Sequence, residues 1–114
     1  MRLIINSGGP SAIDAWREQF RAFAPDLDVV GWHEEIDPAT VDYALVWAPD
    51  AGRLATFTNL KLIISAGAGV DHILADPHLP RHLSIARMVT ARTRTEMAEF
   101  VLTSALMLTR DIKR

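Results

Sequence analysis

Residues 65–72 (SAGAGVDH) place two glycines, spaced G-A-G, between a hydroxyl and an imidazole, directly after the apolar run of residues 60–64. Glycine at positions 67 and 69 permits positive φ and leaves no Cβ between the backbone amides and a ligand. A helix that begins there would add the partial positive charge of its N-terminus. These residue types in this order predict a loop that binds an anion through backbone N–H groups.

The spacing narrows the choice of anion. A dinucleotide pyrophosphate site needs a third glycine where His72 stands, and an acidic residue about 20 residues further on, at the end of the next strand. Met88 and Val89 lie at that strand end instead, and no G-K-[ST] follows to make a P-loop. The glycines can also serve only a tight strand-to-helix turn. A compact anion such as a carboxylate is the functional alternative.

The four histidines give little sign of catalysis or metal binding. His33, His78 and His82 fall in polar or proline-flanked segments, which predicts solvated surface. His72 follows an aspartate on a short predicted helix, where a histidine most often caps or pairs locally. Because Pro80 interrupts the spacing from 78 to 82, no pair of ligands on one helix face is expected, and no metal site is predicted.

Composition excludes several classes of protein. The 114 residues carry a formal charge of −2 and no basic patch, which argues against nucleic-acid binding. Cysteine is absent, so thiolate chemistry is excluded and a reducing, cytoplasmic location is expected. The apolar run of residues 3–5 is too short for a signal sequence or a membrane span. Glu34 and Glu35 are interpreted as a solvated loop.

Apolar runs alternate with amphipathic segments along the chain. In the first helix Ile13, Trp16, Phe20 and Phe23 recur at helical spacing, and Ser11 is placed to cap its start. This alternation predicts an α/β fold, with a doubly wound parallel five-stranded sheet and right-handed crossovers. The predicted strands are residues 2–6, 28–32, 43–47, 60–65 and 84–89, and the predicted helices are residues 11–24, 69–75 and 93–114.

The last helix is predicted to begin at Thr93, because Glu96 follows three residues later in a capping-box spacing. Its apolar positions form a stripe wider than one packing face, so the helix is expected to contact more than one neighbour. It is expected to continue to Arg114. The stripe consists of Met97, Val101, Ala105, Leu108 and Ile112, joined by Ala98, Leu102 and Leu106.

Ligands of doubly wound sheets gather at the carboxyl ends of the strands, where the winding reverses. The loops expected at that edge are residues 6–10, 47–50 and 65–69. The glycine-containing stretch therefore lies where a ligand is expected.

A family resemblance covers the chain from about Tyr43 to its end. The stretch LKLIISAGAGVDHILADPHLP, with ALVWAPD before it and RMVTARTRTEMAEFVLTSALMLTR after it, resembles the amino-terminal region of the D-2-hydroxyacid dehydrogenases, in the glyoxylate/hydroxypyruvate reductase branch. The combination of NLKLI, GAGVDH and MAE carries the resemblance. It implies a flavodoxin-like, discontinuous substrate domain, of which residues 1–92 are the first part. Residues 93–114 are then the linking helix towards a dinucleotide-binding domain absent from this sequence.

The resemblance also assigns roles to individual residues. It implies that Ala68, Gly69 and Val70 hold the substrate carboxylate through backbone N–H groups, which agrees with the analysis of the loop itself. Trp47 is either the aromatic wall beside the substrate or a core tryptophan at a strand end. Arg87 matches a frequent family residue, and a strand-end salt bridge is the expected role. The family's catalytic arginine, glutamate and histidine would lie beyond residue 114, so no catalytic residue is expected here.

The chain is therefore expected to be part of an NAD(P)-dependent 2-hydroxyacid dehydrogenase that reduces glyoxylate or hydroxypyruvate. This chain alone is expected to be inactive. NAD(P)H would bind to the absent domain. The full-length enzyme is expected to be a homodimer. In the fragment, the segment after about Leu106 is expected either to be poorly ordered or to be buried by self-association through the long helix. The alternative is a stand-alone carboxylate-binding or interaction domain. A phosphoacceptor receiver is disfavoured because Asn6 and Trp47 stand where it needs acidic residues.

Overall fold

A computed structural model describes residues 1–112 of the chain. These residues form five strands and three α-helices, with short 3₁₀ turns at Pro10–Ala12, before the first helix, and at Pro38–Thr40 and Leu54–Thr56, which connect the second, third and fourth strands. The strands are β1 (Arg2–Asn6), β2 (Asp28–Gly31), β3 (Tyr43–Val46), β4 (Leu62–Ser65) and β5 (Ser84–Arg87), and the helices are α1 (Ile13–Phe23), α2 (Asp71–Leu74) and α3 (Ala91–Thr109).

The strands form one sheet in the order β2-β1-β3-β4-β5, and every neighbouring pair is parallel. In the register of the sheet Ile4 lies beside Val30 and Ala44, and Ala44 lies beside Ile63. This order is that of flavodoxin-like doubly wound folds. The predicted fold class is therefore confirmed, and the carboxyl ends of all five strands lie along one edge.

Alternate strand residues supply two core layers, because successive side chains of a strand point to opposite faces. On one face Ile4, Val46 and Ile63 pack with Trp32 and Leu54 in a buried cluster. On the other face α1 covers a second cluster, made of Leu3, Ile5, Val29 and Leu45. Burial on both faces explains why the strands are almost continuously apolar.

The strands are slightly shorter than the apolar runs that predicted them. Trp32 and Trp47 were predicted to end β2 and β3, but each lies one residue beyond its strand. The Trp32 N–H still donates to the Ile5 carbonyl, and the Trp47 N–H donates to the Asn6 carbonyl. β4 begins at Leu62 rather than at residue 60, and β5 ends at Arg87 rather than at residue 89. The order and number of strands are unaffected.

The start of α1 differs from the prediction. Pro10 opens a 3₁₀ turn, Ala12 occupies the N-cap position, and no side chain caps the helix. Ser11 lies within that turn, so its predicted capping role is wrong. Trp16 and Phe20 pack on the sheet as expected, but the side chain of Phe23 in the last turn is 89% exposed.

The helix α3 begins at Ala91, two residues before the predicted start at Thr93. The Thr90 side chain accepts a hydrogen bond from the backbone N–H of Thr93 at 3.1 Å, which makes Thr90 the N-cap and places Thr93 inside the helix. Glu96 pairs instead with Arg92, at 2.6 Å. Thr90 and Thr93 both carry a hydroxyl that can cap a helix. Thr90 is the cap because Ala91 and Arg92, the two residues after it, favour helix.

The other end of α3 also differs from the prediction. The helix ends at Thr109, and Asp111 adopts a left-handed conformation with φ of 48°, so helix over residues 110–112 is not observed. The predicted continuation through Lys113 and Arg114 lies outside the described residues. Within residues 1–112 no α3 side chain is buried, so the expected contacts with more than one neighbour are wrong. An apolar helix face can be buried only where an element lies opposite it, and α3 extends away from the sheet.

Among residues 1–112, no helix combines the length and the apolar character needed to cross a lipid bilayer.

Candidate functional site

The residues predicted to hold a carboxylate lie in the loop between β4 and α2, at the carboxyl edge of the sheet. Ala68 and Gly69 are exposed and Val70 is half-buried. Within the described part of the chain, the backbone N–H groups of these three residues donate no hydrogen bond. Three consecutive amides are therefore available to a ligand.

The carbonyl oxygens of the same peptide groups are all bound by the protein. The backbone N–H of Met88 donates to the Gly67 carbonyl at 3.2 Å, Arg87 Nη1 donates to the Ala68 carbonyl at 3.3 Å, and Ser65 Oγ donates to the Gly69 carbonyl at 2.6 Å. In a trans peptide the N–H points opposite to the C=O. Holding these three carbonyls therefore turns the N–H groups of residues 68, 69 and 70 away from Met88, Arg87 and Ser65.

Arg87 thus acts through a hydrogen bond to the loop. Within residues 1–112 its guanidinium forms no salt bridge, so the predicted strand-end ion pair is wrong. Arg87 reaches the carbonyl of Ala68 because β4 and β5 are neighbours and Ser65, just before the loop, pairs with Arg87.

The glycines of the loop let its backbone approach neighbouring side chains closely. Neither Gly67 nor Gly69 has positive φ, so that part of the prediction is wrong; the glycines with positive φ are Gly8, Gly9 and Gly52. A Cβ on Gly67 would lie 2.7 Å from Cζ3 of Trp47, and a Cβ on Gly69 would lie 3.0 Å from Oδ1 of Asp71. A side chain on Gly67 would collide with the indole, whereas one on Gly69 would require only a small shift of the exposed Asp71 carboxylate.

Trp47 stands beside the loop, directly after β3. It is 51% exposed, so the alternative of a core tryptophan is wrong. Its ring packs on the imidazole of His72, with centroids 4.3 Å apart and planes inclined by 52°. The next residue, Ala48, has φ of 46°, a left-handed conformation that is uncommon without glycine. The indole therefore forms an exposed aromatic surface next to the outward-facing amides.

His72 pairs locally, as its position in the sequence predicts. Its Nδ1 accepts a hydrogen bond from the Ala48 N–H at 3.2 Å, and its Nε2 lies 3.4 Å from Ser65 Oγ. Ser65 is fully buried and gives its hydroxyl hydrogen to the Gly69 carbonyl. A buried hydroxyl used in this way is not a nucleophile for an external substrate.

The contribution expected from a helix N-terminus is not found. The helix after the loop is only the four residues Asp71–Leu74, instead of the predicted residues 69–75. Asp71 lies in its first turn, where its carboxylate offsets the partial positive charge. Because His72 stands at the third glycine position, the loop lacks the sequence of a dinucleotide pyrophosphate site.

The remaining candidates are largely surface groups. His33, His78 and His82 are exposed, as predicted. Within residues 1–112 no group of three or more His, Asp or Glu side chains could hold a metal ion.

Glu34 is not the solvated loop residue that the sequence predicts. It forms a bidentate ion pair with Arg17 Nη2 at 2.6 and 2.8 Å and accepts the Gly31 N–H at 3.0 Å, whereas Glu35 is exposed. The Gly31 N–H, joined by the Arg17 guanidinium, lowers the pKa of Glu34 against the opposing effect of burial. Glu34 therefore joins α1 to the end of β2.

Sequence analysis missed Asp76, whose carboxylate is buried. It accepts the backbone N–H groups of Gly52 and His78, both at 2.9 Å. Burial alone would raise the pKa of Asp76, but these two hydrogen bonds outweigh it and lower the pKa. The signal was the order Asp76-Pro77-His78, since an aspartate often accepts the N–H two residues on.

The fold and the loop define a class of protein. It is a flavodoxin-like α/β domain, a class that binds its ligands at the carboxyl ends of the strands, where this loop lies.

Comparison with known proteins finds similarity to 2-hydroxyacid dehydrogenases. The chain is 30% identical to glyoxylate/hydroxypyruvate reductase A of Yersinia enterocolitica over 96 residues, which cover 80% of this chain and 30% of that protein. It matches a D-isomer specific 2-hydroxyacid dehydrogenase from Xanthobacter autotrophicus, solved with NADPH and MES, at 39% identity and a TM-score of 0.78, over 96% of this chain and 37% of that one.

A third match is the NADPH-dependent glyoxylate/hydroxypyruvate reductase of Sinorhizobium meliloti, solved with NADP and sulfate, at 30% identity and a TM-score of 0.79, over 96% of this chain and 35% of that one. No family model matches the chain. The similarity to the D-2-hydroxyacid dehydrogenases is thus confirmed, and the chain spans about one third of their length.

Proposed function

We propose that the chain is the amino-terminal part of the substrate domain of an NAD(P)-dependent 2-hydroxyacid dehydrogenase that reduces glyoxylate or hydroxypyruvate. Residues 1–92 form the first part of that domain, and residues 93–114 form the link to the coenzyme domain. The observation that carries the proposal is the row of outward-facing amides at Ala68, Gly69 and Val70, whose opposite carbonyls are bound.

In this role the loop binds the carboxylate of a small 2-oxo acid. The two carboxylate oxygens accept hydrogen bonds from the three amides, and the exposed face of Trp47 limits the space beside them. Two or three charge-assisted hydrogen bonds of about 1.5 to 3 kcal/mol each, less the entropy of association, give an affinity near millimolar.

The chain alone is proposed to be inactive. When bound, a nicotinamide coenzyme supplies the hydride, and in this proposal the coenzyme is held by chain outside the present sequence. Reduction of a carbonyl also needs a positioned general acid. His72, the histidine beside the loop, has both ring nitrogens engaged by Ala48 and Ser65 and is not free for that role.

Binding is tested by following backbone amide signals in NMR during titration with glyoxylate and with oxalate. The signals of residues 68–70 should move first, with the amides of Gly8 and Gly9 in the neighbouring loop as internal controls. The variant Gly69→Val should abolish the shifts, because its side chain would occupy the place of the anion. Shifts confined to another loop would reject the site.

Inactivity is tested by measuring NAD(P)H oxidation by purified residues 1–114 with glyoxylate and hydroxypyruvate. No oxidation is expected. Turnover that persists after further purification, and that Gly69→Val removes, would contradict this part of the proposal.

The second candidate is a stand-alone carboxylate-binding or interaction domain, since the same amides can bind an anion without a reaction. The open reading frame beyond Arg114 and the intact mass of the natural product separate the two. A cytoplasmic location, proposed from the absence of cysteine, and a homodimeric full-length enzyme remain predictions.

A further inference from the structure

We propose that Ser65 and His72 are positioning residues that fix the carboxylate loop and Trp47 relative to each other through one directed chain of hydrogen bonds. The chain runs from the Ala48 N–H to His72 Nδ1, from His72 Nε2–H to Ser65 Oγ, and from the Ser65 hydroxyl to the Gly69 carbonyl. The positioning role rests on the proposed function of the loop, whereas the chain itself is a property of the free protein.

The two ends of the chain set its direction. A backbone N–H only donates, so Nδ1 of His72 must be the acceptor for Ala48, and a neutral imidazole then carries its hydrogen on Nε2. At the other end the Gly69 carbonyl only accepts, so the Ser65 hydroxyl must donate to it. The two lone pairs of Ser65 Oγ then accept the Nε2–H of His72 and the N–H of Gly67, each at 3.4 Å. Every hydrogen therefore has one place.

The last bond of the chain bears directly on the anion site. The Gly69 carbonyl and the Val70 N–H belong to one planar peptide group and point in opposite directions. The 2.6 Å bond from Ser65 holds the carbonyl inward and therefore aims the Val70 N–H outward. Linked hydrogen bonds also polarise one another, which strengthens the outermost donor.

The first bond of the chain bears on the aromatic side chain. His72 holds the N–H of Ala48, the residue in left-handed conformation next to Trp47, and its ring packs on the indole 4.3 Å away. The imidazole is thus the common partner of the loops that follow β3 and β4. Loss of the imidazole removes one donor from the fully buried Ser65 Oγ, which keeps its bonds to the Gly69 carbonyl and the Gly67 N–H.

The direct test measures the His72 tautomer in the free protein. Long-range proton–nitrogen NMR spectra of the neutral imidazole should show the hydrogen on Nε2 and the unprotonated signal at Nδ1. The opposite tautomer, or rapid exchange between the two as in exposed His82, would overturn the proposal. This measurement needs no ligand, so it tests the chain of hydrogen bonds even if oxalate does not bind.

The second test compares oxalate binding in Ser65→Ala and His72→Phe, with His82→Phe as the matched surface control. His72→Phe keeps an aromatic ring against Trp47 but removes both hydrogen bonds. Each site variant should bind oxalate about tenfold more weakly, the effect of losing one well-formed hydrogen bond. Ser65→Ala should also shift the Val70 amide signal before any ligand is added.

The outcomes separate the two proposals. Wild-type affinity and an unmoved Val70 amide in Ser65→Ala would overturn the positioning role while leaving the anion site intact. Absence of shifts at residues 68–70 in the wild-type chain would reject the proposed function, and the tautomer would still decide the hydrogen-bond chain. If a variant does not fold, the His72 tautomer of the wild-type protein is the remaining test of the proposed hydrogen bonds.

Discussion

Trp47 and Gly67 are in direct contact across the loops that follow β3 and β4. A side-chain carbon on the glycine would lie 2.7 Å from Cζ3 of the indole. The two residues are twenty positions apart, yet one sets the size allowed at the other because their strands are neighbours in the sheet.

This contact predicts that Gly67→Ala destabilises the protein by about 1 to 3 kcal/mol, the usual cost of overpacking. In the background Trp47→Leu the same substitution should cost clearly less, since the ring atom in the way is gone. Urea unfolding of the wild type, both single variants and the double variant gives the coupling. Strictly additive free energies would show that the glycine is needed for another reason.

The ion pair of Glu34 with Arg17 predicts a pH-dependent stability. Because folding lowers the pKa of Glu34, its contribution is present above the unfolded value of 4.5 and is lost as pH falls through the folded value. Glu34 is 37% exposed, so solvent screening limits the loss in Glu34→Gln to about 1 kcal/mol at neutral pH.

The measurement is the free energy of unfolding of wild type and Glu34→Gln at neutral and acid pH. The difference between them should shrink as pH falls below the unfolded pKa. Exposed Glu35→Gln is the matched control and should change little at either pH. A difference that persists undiminished in acid would contradict the assignment.

Asp76 is expected to be a structural anchor of two loops. In Asp76→Asn one of the two backbone N–H groups, of Gly52 or His78, faces an amide NH₂ instead of an oxygen. The variant should lose about 1 to 3 kcal/mol of stability, the cost of a buried donor left unpaired. Thermal unfolding compared with exposed Asp26→Asn measures the effect, and equal melting temperatures would refute the anchoring role.

The exposed apolar side chains of α3 predict self-association of this chain. Val101 is 58% exposed on a helix that has no buried residue within residues 1–112. Sedimentation should show mass increasing with concentration, and Val101→Lys should reduce the increase, whereas Glu99→Lys on the opposite side of the helix should not.

Hydrogen exchange gives an independent measure of the same helix. Residues after about Leu106 should exchange rapidly at low protein concentration, because packing does not protect them. Protection should rise with concentration if copies associate through α3. Strong protection through Ile112 in a verified monomer would contradict this prediction and favour the stand-alone domain.

The sequence by itself determined the strands, their order and the position of the glycine-containing loop in the sheet. Apolar runs such as residues 43–47 and 60–65 predicted strands to within two residues at either end, because burial on both faces demands continuous apolar character. The glycine-containing loop at residues 65–69 was placed correctly at the carboxyl edge, because parallel strands end together. These features depend on local periodicity and on connections between consecutive elements.

Only the tertiary structure decided how the groups at that edge are used. The contact of Trp47 with Gly67, the bonds from Ser65 and Arg87 that turn the loop amides outward, and the ion pair of Glu34 all join segments whose approach depends on sheet order and register. The exposure of α3 has the same origin. Its apolar stripe is encoded locally, but the element opposite it is set by packing over the whole molecule, which sequence spacing does not specify.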